Sequence, residues 1–281
     1  MPATIPTSQD HQRKKDRDAL MAIALLTYGD WEDARSLWEK HAAPAFIGLT
    51  DGNGFTWNDA TQSYQTTHGR NIKADDMKRL ALSFALAVEF DLQSAARIAA
   101  KDPLHKADQF GQDAARIIKA EYEAEAAIAV GGFSKITPAI LQSIQGDVTQ
   151  IPSLAFSIDR LSSFVEEMKN ATAGTEAQIV ARSALYGASG NGIYELARMA
   201  SHANALDSKG RRTFLYYRNL LGVADHCRST DFAEGCPDVT AAGFQLIGTL
   251  PEIGDRSCGP NCKCSWDFSL VGPASSAISE N

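Results

Sequence analysis

The sequence predicts a mainly α protein: an elongated helical body that ends in a small cysteine-stapled loop region. Three observations carry this. Apolar residues recur at three- and four-residue spacing through most of residues 75–202. Proline and glycine fall mostly between those stretches, where helices start and stop. All five cysteines lie between Cys227 and Cys264.

The bulk composition sets outer bounds. With 281 residues, 44% hydrophobic and 22% charged, the chain can bury a sizeable core as one elongated domain or two smaller ones. No apolar run approaches the roughly eighteen residues of a membrane span, and none is expected. The net charge of −7 leaves no overall basic excess to neutralise nucleic-acid phosphates.

Residues 1–17 are expected to be a flexible polar arm; without an apolar core after their charges, they do not read as a secretory signal. The run Arg13-Lys14-Lys15-Asp16-Arg17 reads as a solvated tail, with DNA or an acidic partner as the alternative.

Residues 18–72 should hold N-terminal helices and an aromatic loop. The spacing of Leu20, Ile23, Ala24, Trp31, Ala34, Leu37 and Trp38 predicts helix from Asp18 to about His41, broken near Tyr28-Gly29-Asp30 and ended by Pro44. Turn residues from Thr50 to Arg70 enclose Phe55, Trp57 and Tyr64, which predicts an ordered loop or short strand pair.

Residues 73–224 should form the helical body. From Asp75, the stripe Met77, Leu80, Ala81, Phe84, Val88, Leu92, Ala95 and Ile98 predicts a long helix that Asp102-Pro103 stops. A second helix over 107–130 places Phe110, Ala114, Ile117, Ile118, Tyr122 and Ala126 on one side and closes at Gly131-Gly132. Thr137-Pro138 caps and opens a short helix through Ile144. Leu154, Ile158, Leu161, Val165 and Met168 predict the next. Helices then follow from Gly174-Thr175 to Tyr186 and, after Gly190-Asn191-Gly192, through His202. A last helix is expected from about Ser208 to Ala224, with Tyr216, Tyr217, Arg211, Arg212 and Arg218 on a basic-aromatic face. Beyond the strand pair considered at 50–70, the β signal is Gly243 to Gly248.

Residues 225–265 form the cysteine-rich knuckle, and 266–281 are expected to be a flexible tail. The candidate metal ligands are His226, Cys227, Cys236, Cys258, Cys262 and Cys264, four of which would make a closed tetrahedral zinc site. Cys258 and Cys262 have the spacing of a ligand pair; only one of Cys262 and Cys264 is expected to join a shared site. A disulfide and free thiols remain open, because the spacing matches no standard zinc finger. Cys227, Cys258 and Cys262 are expected to converge.

Catalytic signals are weak. Gly187, Gly190 and Gly192 lack the preceding strand and the Lys-Ser/Thr ending of a phosphate loop, so they read as a helix–helix turn. Glu121, Glu123 and Glu125 alternate within a helix and are expected around its surface. His226 next to Cys227 is poorly placed as its base, and no hydrolase, metalloprotease or kinase signature is present.

The C-terminal third carries a resemblance. Leu220-Leu-Gly-Val-Ala-Asp-His-Cys227, Gly243-Phe-Gln-Leu-Ile-Gly-Thr-Leu-Pro251 and Cys258-Gly-Pro-Asn-Cys-Lys-Cys264 resemble the end of tailed-phage minor head proteins of the head-morphogenesis (Mu F-like) family. Weaker echoes are Trp57 with Tyr64 and Gly69-Arg70, Gly131-Gly132-Phe133 before Ile136-Thr137, and Arg182 to Tyr186 before Tyr194-Glu195. Together they span roughly residues 55–265. The resemblance implies a structural virion protein of the phage head, made in the host cytoplasm and not an enzyme. Its implied partners are the portal protein or the major capsid protein, with self-association on a symmetric ring. DNA contact would fall to the N-terminal arm alone. Relatives commonly show His-Cys-x2-Cys, whereas Thr230 stands at that second position here and Cys236 is the next cysteine.

The rival from another class is an enzyme, a nucleotide- or ADP-ribose-transferring domain of a head-associated protein; only a polar tail follows Cys264, which argues against such a fusion. A DNA-binding knuckle is disfavoured by Asp225, Asp231, Glu234, Asp238, Glu252 and Asp255 against Arg228, Arg256 and Lys263.

Overall fold

A computed structural model describes residues 14–15, 17–22, 31–58, 61, 63–205, 210, 216–222, 235–253 and 262–269. Among these the chain is mainly helical. The helices are α1 (Glu32–His41), α2 (Ala43–Thr50), α3 (Ala74–Ala100), α4 (Pro103–Val130), α5 (Pro138–Gln145), α6 (Leu154–Lys169), α7 (Glu176–Ala188), α8 (Gly190–Asn204) and α9 (Cys236–Ala241). One antiparallel sheet has order β1 (Phe55–Asn58), β2 (Ser63–Thr66), β3 (Asn71–Ile72), as the aromatic loop suggested. The other has order β5 (Gln245–Leu246), β4 (Tyr216–Leu220), β6 (Ser265–Ser269).

Local chemistry explains most boundaries. Asp75 and Asp76 sit in the first turn of α3, where carboxylates complement the helix dipole. Pro103 starts α4, four residues earlier than the apolar stripe suggested, because proline is tolerated in a first turn. Gly131 ends α4 in the left-handed region at φ 93, and a Cβ there would lie 2.6 Å from the Phe55 carbonyl. This glycine therefore lets β1 cross the helix end. Thr137 and Ser153 cap α5 and α6 through their side chains, and Thr175 with Gln178 forms a capping box on α7.

The central element is α4, packed against α1, α3, α6 and α8. Every residue from Ile118 to Ala129 is buried. Glu121, Glu123 and Glu125 are thus interior, which corrects their expected surface placement. A helix surrounded on all sides has no solvent face to offer them. Glu123 pairs with the equally buried Lys119 at 2.9 Å, one turn back. Tyr122 points the other way, its hydroxyl 2.6 Å from both Ser157 Oγ and Ser189 Oγ.

Several other boundaries moved. Pro44 lies in the first turn of α2 instead of ending the preceding helix. In the arm expected to be flexible, residues 14–15 and 17 are helical and Arg17 lies 3.7 Å from Asp159; residues 18–22 are helical as expected, and Leu20 enters the main core. Gly190 begins α8 instead of separating two helices. Within the helix expected over 208–224, residues Tyr216–Leu220 form strand β4 instead. Its burial alternates residue by residue, with Tyr217 and Asn219 inward, the period of a strand. Arg211 and Arg212 lie outside the described residues.

The second sheet has its own small core of Tyr217, Cys236, Ile253, Cys262, Cys264, Trp266 and Phe268. Tyr217 and Trp266 pack as a tilted ring pair with centroids 4.5 Å apart. The Tyr217 hydroxyl donates to the Leu250 carbonyl at 3.1 Å and accepts the Leu250 N–H at 2.7 Å. The expected boundaries at 225 and 265 both cut this unit: β4 precedes the first, and β6 carries ordered chain beyond the second.

Candidate metal centre

Two segments bring three thiols together. Cys236 opens α9, and Cys262 and Cys264 lie on the segment entering β6. All three are buried, and their Sγ atoms lie within 4.8 Å of one another, close enough to hold a metal ion. Cys236 and Cys262 are 3.9 Å apart, nearly twice the roughly 2.05 Å of a disulfide. Cys262 and Cys264 both join, which corrects the expectation of one. Residues two apart in an extended chain face the same side.

Polar groups fasten this segment from several sides. The Gly222 N–H donates to Cys264 Sγ at 3.4 Å. A Cβ on Gly222 would lie 2.6 Å from the Lys263 carbonyl oxygen, so only glycine allows this approach. Lys78 Nζ donates to the carbonyls of Lys263 and Cys264 at 2.9 and 3.0 Å, and Asn191 Nδ2 donates to those of Cys262 and Cys264 at 2.6 and 3.3 Å. On the far side, Asn219 Nδ2 reaches Thr240 Oγ1 at 2.6 Å and the Cys236 carbonyl at 3.4 Å. Hydrogen bonding from Cys262, opposed by burial and aided by the Gly222 N–H, holds the Cys264 thiol well below its ordinary range. The arrangement favours thiolate, the form that binds metal.

A second network joins this unit to the body. Arg198 Nη1 and Glu195 Oε2 form a buried ion pair at 2.8 Å on α8. The same Glu195 oxygen accepts the Trp266 N–H at 3.2 Å, while Arg198 donates to the Trp266 carbonyl at 3.3 Å and to the Tyr64 hydroxyl at 3.3 Å. Tyr64 of β2 meets His202 Nε2 at 2.9 Å, and the His202 ring lies 4.3 Å from that of Phe268 in β6. Burial first, then the Arg198 charge, pushes His202 well below its usual range, so its ring is neutral.

Of the six ligands expected from sequence, the structure brings together Cys236, Cys262 and Cys264; His226, Cys227 and Cys258 lie outside the described residues. The expected convergence of Cys227, Cys258 and Cys262 rests partly on those residues as well. The sequence reading missed Lys78, Asn191, Glu195, Arg198 and Gly222. Glu195 and Arg198 had a signal: opposite charges three residues apart among Ile193, Leu196, Ala197 and Ala200. No family model, curated protein or solved structure matches the chain.

Proposed function

We propose that this chain is a structural minor head protein of a tailed phage, and that a structural zinc ion ties together the segments of its C-terminal unit. One observation carries the reading. The described parts of the separate segments that resemble head-morphogenesis proteins meet in a single unit: Leu220 ends β4, Gln245–Leu246 form β5, and Cys262–Cys264 lead into β6. Two residues of the weaker echoes, Tyr64 and Glu195, lie on the network that joins this unit to the body.

Zinc fits the donor set. At about 2.3 Å from each sulfur, a tetrahedral zinc separates its ligands by about 3.8 Å, close to the observed 3.9 Å between Cys236 and Cys262. Cys236, Cys262 and Cys264 would hold it, with a fourth ligand from His226, Cys227 or Cys258. Its role is to close a loop-rich unit whose own core is small, not to activate water.

In this reading the protein works by contact area on the portal or the inner shell, in the virion. Co-expression with the portal and major capsid proteins of the same phage tests it. The expected result is a stable complex with one of them, in a fixed ratio, carrying about one zinc per chain. Free monomer that ignores both would overturn the assignment.

A further inference from the structure

We propose that Glu121 and Glu125 form an inner site for a small, hard divalent cation such as Mg2+, Mn2+ or Ca2+, separate from the thiol cluster. The two residues lie one turn apart on α4 and are fully buried, and none of their four carboxylate oxygens has a hydrogen-bond partner. Their Oε1 atoms face one point. A Cβ on Gly190 would lie 2.7 Å from that of Glu121 and 3.1 Å from that of Glu125. The same Cβ would sit 3.0 Å from the Ala85 methyl, so the missing side chain of Gly190 is what leaves a cradle between α3, α4 and α8. The next residue, Asn191, has a buried Oδ1 that likewise lacks a hydrogen-bond partner, while its Nδ2 holds the thiol segment.

Two uncompensated buried carboxylates are too costly to persist as bare anions. Protonation removes the charges but supplies at most two donors for four buried oxygens that have none. A hard cation meets several such oxygens at once, with no demand for a donor. Lys263, between two of the thiols, favours the ionised forms of Glu121, Glu125 and the half-buried Glu89, yet lies outside hydrogen-bonding reach of all four inner oxygens. Its charge opposes the protonation that burial favours, and it also competes with a cation for the site.

The test is a Mn2+ titration of the full-length protein, stripped of metal beforehand and followed by the resonance signal of free Mn2+. The expected result is one saturable Mn2+ per chain, displaced by Mg2+ or Ca2+. Glu121→Gln with Glu125→Gln should weaken it by at least about tenfold, since ligand charge sets affinity. Lys263→Met should tighten binding several-fold, and Cys264→Ser should leave it in place. Circular dichroism shows whether each variant is folded. Absence of saturable binding overturns the site, as does binding that survives the double glutamine variant or disappears with the cysteine.

Discussion

Glu195 Oε2 accepts the backbone N–H of Trp266 at 3.2 Å while it pairs with Arg198 at 2.8 Å. A side chain of the body thus takes the place of a neighbouring strand along the outer edge of β6. Arg198 completes the match by donating to the Trp266 carbonyl. The pair is almost fully enclosed, so removing one member strands the other charge. Arg198→Met should cost about 3–5 kcal/mol in urea unfolding at neutral pH. A loss under about 1 kcal/mol, the worth of an exposed pair, would show that the contact does not hold the unit down.

The metal reading makes a localised prediction. Chelation should raise hydrogen exchange over residues 216–222 and 235–269 while leaving far-ultraviolet helicity nearly intact, because the main core lies in α3 to α8. Global loss of helicity would mean that the body depends on the thiols as well.

Gly222→Ala should mimic part of that loss. The added methyl would meet the Lys263 carbonyl oxygen at 2.6 Å and the Cys264 nitrogen at 2.9 Å, displacing the N–H to sulfur bond. Competition with a chromophoric chelator should show zinc held about 10–100-fold more weakly.

His202 gives a pH signature. Its folded-state pKa lies well below the value of about 6.5 expected in the unfolded chain. Between those values the unfolded state binds the extra proton, so this contribution is complete above about pH 6.5 and is lost as pH falls through that window. The raised pKa values of Glu121 and Glu125 act in the opposite sense, their contribution fading as pH rises. The difference between wild type and His202→Gln isolates the histidine. It should shrink as pH drops from 7 toward the folded-state value; a constant difference would contradict the assignment.

Helices with a polar face were legible because a repeat of 3.6 survives in the sequence wherever one side meets water. That explains why α3 and α6 could be read from Met77 to Leu92 and from Leu154 to Met168. The C-terminal half of α4 has no such side, and Glu121 and Glu125 were read as solvated because interior carboxylates carry no local mark. β4 was mistaken for helix because five residues beside a basic stretch give too short a period to judge. Within the site, cysteine clustering pointed to the right region. Lys78 and Asn191 could not be found that way, since each reaches the thiol segment across a long span of chain.

Electron microscopy of tailed-phage heads assembled in the presence of this chain tests the proposed structural assignment most directly. The account predicts density for the helical body and its C-terminal sheet against the portal ring or the inner shell, in symmetric copies. Mature heads of full protein complement that lack this chain would contradict it.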